Sequence, residues 1–188
     1  MTYNNLGTFT ASTVVGGATL SVENFNTGSS SLFTLTNNGA QSSFVNLGGG
    51  NFVWQSAVGV GITQTITPTG PLSAFGGTID TSTGIIGSGL SITVNYASGG
   101  PSVFSNIGNG VFFWGVGVGV ADPLITSVVI SAGTNPGSTG EIFQLDNLQS
   151  VVRGTVEGPP PSGVPEPSTF GLMGLAMLGL GLVRKARR

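Results

Sequence analysis

The sequence predicts an all-β protein: a two-sheet β-sandwich body made of two related halves, then a proline-rich spacer and a single apolar C-terminal helix that spans a membrane. Three observations carry this expectation. Short runs of Val, Ile, Thr and Phe alternate in period two and are separated by Gly, Ser, Asn and Pro clusters. A seventeen-residue stretch recurs at a constant offset of 60. Beyond residue 156 the composition turns first to prolines and then to an uncharged apolar run closed by bases. The expected divisions are therefore a body over 1–156, a spacer over 157–163 and a tail over 164–188.

In chain order, the strand candidates are Ala18–Phe25, Ser31–Thr36, Val58–Thr67, Leu90–Tyr96, Ile125–Ser131 and Glu141–Leu148. Leu90–Tyr96 is the clearest. Leu90, Ile92, Val94 and Tyr96 share one face while Ser91, Thr93 and Asn95 share the other, the signature of a half-buried strand. No long helical pattern precedes the tail.

The repeat matches Phe44–Val60 to Phe104–Val120, with nine of seventeen positions identical, including Phe44/Phe104, Phe52/Phe112 and Trp54/Trp114. Each copy reads as a Gly/Asn turn feeding a strand. In the second copy Phe112, Trp114, Val116, Val118 and Val120 point one way, and Phe113, Gly115, Gly117 and Gly119 the other. The first set is a core stripe. A bare glycine face weakens a strand, so it is expected to lie against another backbone or a flat aromatic, and Gly59 and Gly61 imply the same for the first half. Two such halves would pack as two sheets face to face, with Trp54 and Trp114 in or near the core.

Charge is sparse, 6% of the chain against about 25% in typical soluble proteins, so the surface must be built from Ser, Thr, Asn, Gln and Gly. Such a surface repels its neighbours weakly and suits a coat or matrix component. Residues 1–163 carry six acids against Arg153 alone, a balance of −5, and the tail adds +3. Without a basic stripe there is no electrostatic basis for nucleic-acid binding. The chain has neither Cys nor His, which removes thiolate chemistry, the commonest general base and the commonest transition-metal ligand. The only lysine, Lys185, is in the tail, so a Ser or Thr nucleophile in the body lacks the usual bases.

No catalytic residues and no cofactor are expected. A carboxylate pair for glycoside hydrolysis could be drawn from Asp122, Glu141 and Asp146, but nothing in their spacing supports it. Asp146 and Asn147 are candidate oxygen ligands for calcium; the simpler reading is an Asx-type hydrogen bond at a strand end, because no acid cluster accompanies them. The Gly-Val-Gly-Val-Gly run at 115–119 lacks the spacing and following helix of a nucleotide loop. Sugar stacking calls for exposed aromatic faces. Both tryptophans fall on the valine stripe, leaving Tyr3 and Tyr96 as candidates.

Glu157–Gly163 contains three consecutive prolines, which favour extended polyproline II and a stiff spacer. Next come Pro165, Glu166 and Pro167, an apolar run from Phe170 to Val183 without charge, and the bases Arg184, Lys185, Arg187 and Arg188. The 16 positions from Ser168 to Val183 would make a helix of about 24 Å, short of the ~30 Å hydrocarbon core. The run has no polar face, however, and the basic side chains can snorkel across part of the gap. The basic cluster serves as membrane stop and sets the orientation, with the tail in the cytoplasm and the body outside. The prolines keep the approach extended and expose a peptide bond to an enzyme.

This order of parts resembles the PEP-CTERM sorting signal of bacteria, recognised by membrane transpeptidases called exosortases. The resemblance implies Pro165-Glu166-Pro167 as the sorting and cleavage signal, an exosortase and the lipid bilayer as partners before processing, and a body delivered to the cell surface or extracellular matrix. From Ala74 onward the body also resembles a domain often found ahead of this anchor. The carrying residues are Phe75-Gly76-Gly77, Phe112-Phe113, Ile125–Ile130 and Phe143-x-Leu145-Asp146-Asn147-Leu148. That resemblance implies a jelly-roll-like β-sandwich similar to carbohydrate-binding modules, with extracellular polysaccharide as a further partner. Export calls for an N-terminal signal, and Met1–Val22 has neither a basic n-region nor a sustained apolar h-region. The sequence is thus expected to start downstream of its true start, or after signal removal.

Overall fold

The computed structural model describes residues 1–39, 41–82, 89–107, 110–133 and 141–154. The chain divides into two compact units, Met1–Thr155 and Val156–Arg188, and every described residue belongs to the first. Its elements in chain order are β1 (Thr2–Tyr3), α1 (Leu6–Thr13), β2 (Thr19–Glu23), β3 (Phe33–Asn37), β4 (Ser42–Gly48), β5 (Asn51–Val58), β6 (Thr63–Pro68), β7 (Ala74–Asp80), β8 (Leu90–Tyr96), β9 (Ser102–Ile107), β10 (Val111–Gly117), β11 (Ile125–Ala132) and β12 (Glu141–Val152).

The strands form two antiparallel sheets. One has the order β1-β10-β7-β12-β5-β4, with β2 added on β12; the other has the order β3-β6-β11-β8-β9. This is the expected all-β sandwich. Its core is the inward half of each alternating pattern: Trp54, Val58, Phe75, Ile79, Trp114, Val116, Phe143 and Leu145 from the first sheet meet Phe33, Ile66, Ile92, Val94, Val128 and Ile130 from the second. β8 has the bounds read from the sequence, because its period-two pattern is uninterrupted and turn residues flank it.

β12 organises the first sheet. Its first half pairs with β5, from Glu141 opposite Val58 to Leu145 opposite Trp54, and its second half pairs with β2, from Leu148 opposite Glu23 to Val152 opposite Thr19. Its other edge pairs with β7 from Gln144 opposite Asp80 to Val151 opposite Ala74, with a register shift between Asp146 and Gln149. Asn147 has φ 48° there, a left-handed conformation that Asn tolerates, and the bulge returns Leu148 to the core face after Leu145.

Several expectations need correction. Val58–Thr67 is two strands: β5 ends at Val58, Gly59 bridges Ile62, and Gly61 has φ 74° in the turn before β6. In both copies of the repeat a strand stands on either side of the Gly/Asn stretch, but the copies are not equivalent halves. β4 and β5 form a hairpin within one sheet, whereas β9 belongs to the five-stranded sheet and β10 to the seven-stranded one. Both tryptophans therefore lie in the same sheet, on β5 and β10. The core stripe of the second copy ends at Val118, since Val120 is 84% exposed.

The glycine face of β10 meets a flat aromatic. A Cβ on Gly115 would fall 2.7 Å from the Phe9 ring, and one on Gly76 of β7 would fall 2.7 Å from the Phe113 ring and 3.3 Å from Phe9. Phe9 belongs to α1, the helix that the sequence pattern did not reveal. It is capped by Asn5, whose Oδ1 accepts the Thr8 amide at 3.1 Å, and Phe9 is its only buried residue. With Ala74 and Val151, Phe9 forms a second small core on the outer face of the seven-stranded sheet. Gly61 has nothing within 4 Å, so the first-half glycine serves its turn and packs against no ring.

Two polar clusters are buried. Asn37 Nδ2 donates to Ser56 Oγ at 2.8 Å and Ser56 Oγ donates to Gln64 Oε1 at 2.9 Å, tying the two sheets together at one end. Glu23 closes the β2–β3 loop: its carboxylate accepts the amides of Phe25, Ser31 and Leu32 and the hydroxyl of Ser30. Burial pushes its pKa up, and these hydrogen bonds outweigh burial and hold it below the ordinary value.

Candidate functional site

Alternation determines what the outer face of the seven-stranded sheet displays. With Ile79, Phe143, Leu145, Trp54 and Phe44 turned inward, Thr78, Asp80, Gln144, Asp146, Gln55 and Ser43 turn outward. Register then lines them up. Asp80 on β7 is opposite Gln144 on β12, Gln144 is opposite Gln55 on β5, and Gln55 is opposite Ser43 on β4. Thr78 and Asp146 form the neighbouring pair, and Phe113 on β10 is opposite Thr78.

The row is held in place. Gln144 Nε2 donates to Gln55 Oε1 at 3.1 Å, and Asp80 Oδ1 accepts the Ser82 amide at 2.7 Å and its hydroxyl at 2.5 Å. Gln55 and Ser43 also border a groove of about 350 Å³ whose other walls include Gln41, Ser42, Ala57 and Ile142. Cross-strand register alone brings these positions together, and nothing local in the sequence marks the row.

Asp146 sits at the bulge. Its carboxylate accepts the Asn147 amide at 2.7 Å and Asn147 Nδ2 at 3.1 Å. Burial raises its pKa, and the Asn147 amide only partly offsets this. The local hydrogen-bonded reading thus describes Asp146, although at a mid-strand bulge and not at a strand end. Among the described residues no three His, Cys, Asp or Glu side chains group as metal ligands.

The carboxylates considered for hydrolysis are dispersed. Glu141 and Asp146 are five residues apart on β12, an odd spacing that places them on opposite sheet faces about 17 Å apart along the strand, too far for a retaining or inverting pair. Asp122 is in the β10–β11 loop and accepts the Gly119 amide at 2.8 Å. Nearby, Arg153 donates to the carbonyls of Gly119 and Asp122, at 2.6 and 3.5 Å. Gly115 and Gly117 are ladder residues of β10, paired with Gly76 and Ala74.

Of the aromatic candidates, Trp54 and Trp114 are both 7% exposed and belong to the core. Tyr96 packs on that core and reaches Ser102 Oγ at 3.1 Å. Tyr3 stands edge-on to Phe9, 5.5 Å between centroids, and borders an open cleft with Asn4, Phe104 and Trp114.

The residues expected to act in the tail, Pro165, Glu166 and Pro167 with Arg184, Lys185, Arg187 and Arg188, lie outside the described residues, as do the spacer and the expected membrane helix. Among the described residues no helix is long and apolar enough to cross a membrane. The family model of the PEP-CTERM protein-sorting motif matches residues 163–188. This chain carries a PEP-CTERM sorting motif.

Among solved structures the chain is similar to a family 29 carbohydrate-binding module, at 13% identity and a TM-score of 0.49, over 79% of this chain and 99% of that one. Two mutants of such modules align at 14% and 12% identity with TM-scores of 0.47 and 0.40, covering 78% and 77% of this chain and 99% of each of theirs. No curated protein sequence matches the chain.

Proposed function

We propose that this chain is an exported, non-enzymatic surface or extracellular-matrix protein that an exosortase sorts through its C-terminal signal. The observation that carries the reading is the PEP-CTERM match at residues 163–188. In this reading the run from Phe170 to Val183 enters the bilayer as a transmembrane helix, Arg184, Lys185, Arg187 and Arg188 hold the tail in the cytoplasm, and the enzyme cuts at Pro165-Glu166-Pro167. The jelly-roll-like body, on its spacer over 157–163, is then released to the cell surface or the polymer around it. A surface with so few charges suits that environment.

The test is the intact mass and location of the protein in its native host, beside a triple variant Pro165→Ala, Glu166→Ala, Pro167→Ala. Wild type without its basic tail and outside the inner membrane, with the variant retained uncut, is the expected result. Full-length wild type remaining in the membrane would refute processing and leave a plain C-terminal anchor.

A second reading is that the body binds extracellular polysaccharide, as a carbohydrate-binding module or adhesin. The ordered row of carboxylate, amides and hydroxyl on the seven-stranded sheet favours it, because these groups donate to and accept from sugar hydroxyls. Binding of any glycan on an array by the purified full chain is the expected observation, and a blank array would remove the reading.

A further inference from the structure

We propose that the row Asp80–Gln144–Gln55–Ser43, together with the groove beside it, is a binding site for a neutral polysaccharide chain lying across the strands. This rests on the second reading above and gives it a place and a ligand class.

The geometry comes first. Four adjacent strands at about 4.8 Å spacing set the row out over about 14 Å, the length of a short oligosaccharide. The row continues into the groove walled by Gln41, Ser42, Ala57 and Ile142, so a bound chain is bordered at that end. Ser43 is exposed and Asp80 and Gln55 are half-buried, so the row is open to a ligand, while Gln144 is 8% exposed and acts as its fixed floor.

The chemistry follows. The bond from Gln144 Nε2 to Gln55 Oε1 locks both amide planes and leaves Gln55 Nε2 as a donor and Gln144 Oε1 as an acceptor, neither with a hydrogen bond among the described residues. A sugar hydroxyl needs one of each. Asp80 is already steadied on one oxygen by Ser82, so its other oxygen remains to accept from a hydroxyl. Little rotamer freedom is left to lose on binding, which favours affinity for a flexible polymer.

Charge selects among polymers. Asp80 and Asp146 are diagonal neighbours on this face, about 7–8 Å apart. The only cation of the described body other than the N-terminus, Arg153, is committed to the carbonyls of Gly119 and Asp122. A uronate, sulfate or phosphate polymer would meet two carboxylates and no basic partner. A neutral chain meets only acceptors and donors.

The experiment titrates the full-length chain in detergent with neutral hexasaccharides, cellohexaose, laminarihexaose and mannohexaose, and with a hexagalacturonate as the acidic probe. Variants are Asp80→Ala, Gln55→Ala and Ser43→Tyr, the last placing bulk on an exposed edge position, with Thr34→Ala on the opposite sheet as the control. Circular dichroism and melting verify each fold. At least one neutral probe is expected to bind, with affinity lower by about tenfold in Asp80→Ala and Gln55→Ala, the effect of one or two lost hydrogen bonds, lower also in Ser43→Tyr, whose ring obstructs the row, and unchanged in Thr34→Ala. Neutral binding that all three row variants leave intact would overturn this site and spare the polysaccharide reading. Tighter binding of the galacturonate would overturn the choice of ligand class, and no binding of any probe would remove both the site and the reading.

Discussion

The ring of Phe104 meets Trp114 edge-on from the opposite sheet, with centroids 5.6 Å apart. The same pair in the first copy of the repeat, Phe44 and Trp54, are direct cross-strand partners within one sheet, at 4.8 Å. One sequence pattern therefore makes the same aromatic contact in two ways, once within a layer and once between layers.

The two tryptophans should respond differently to the same substitution. Replacement by Ala should destabilise by about 3–5 kcal/mol at either site. Replacement by Phe should separate them. Trp54 Nε1 is buried and has no hydrogen-bond partner among the described residues, whereas Trp114 borders the open cleft beside Tyr3. Removing an unsatisfied donor recovers about 1–3 kcal/mol, so Trp54→Phe should cost less than Trp114→Phe in urea denaturation. Equal losses would show that the Trp54 indole is satisfied in solution.

Phe9 and Gly115 should be coupled. Gly115→Ala drives a methyl to 2.7 Å from the Phe9 ring and should cost about 1–3 kcal/mol by overpacking. Phe9→Ala opens that space. In a double-mutant cycle the second change should then recover part of the first, with a coupling of about 0.5–3 kcal/mol. Strict additivity would mean that α1 does not rest on the sheet.

Two carboxylates should give opposite slopes of stability against pH. Glu23 is held below its ordinary value of 4.5, so the unfolded chain binds its proton more readily; its contribution is complete above that value and is lost as pH falls through the folded pKa. Asp146 is raised above its ordinary 3.8, so its contribution is present below that value and lost as pH rises through the folded pKa. Glu23→Gln should therefore destabilise at neutral pH, by about 1.5–3 kcal/mol for hydrogen bonds to a charged group, and Asp146→Asn should stabilise there. Melting temperatures from pH 3 to pH 7 read both, and a Glu23→Gln melting point equal to wild type at pH 7 would contradict the first.

Legibility in the sequence followed the range of the interactions. β8 was readable because its pattern is local and complete. The β5–β6 turn was hidden because Val58, Val60, Ile62, Gln64 and Ile66 keep period two straight through it, so only the positive φ of Gly61 betrays the reversal. α1 went unseen because a single buried residue, Phe9, makes no periodic stripe, and Asn5 is an N-cap residue type with no Glu or Gln three positions on to complete a capping box. For the glycine face of β10 the sequence leaves another backbone or a flat aromatic open; the Phe9 ring lies there, and nothing in the pattern indicates that a helix supplies it. The repeat revealed the strands but not their sheets, since sheet membership depends on partners far along the chain. The polar row is the extreme case: Ser43, Gln55, Asp80 and Gln144 are scattered over a hundred residues, and pairing alone assembles them. The sorting signal is the opposite, continuous in sequence and readable with no fold at all.

β12 is the last of the described strands to be made and a central one in its sheet. β2, β5 and β7 all take hydrogen bonds from it, and it supplies Phe143, Leu145 and Leu148 to the core. A chain interrupted before residue 141 has three strands with no common neighbour, so the seven-stranded sheet closes only after nearly the whole body has been synthesised. Such late, long-range pairing makes folding slow to begin, so under the proposed export the seven-stranded sheet would stay open until residues 141–152 are available.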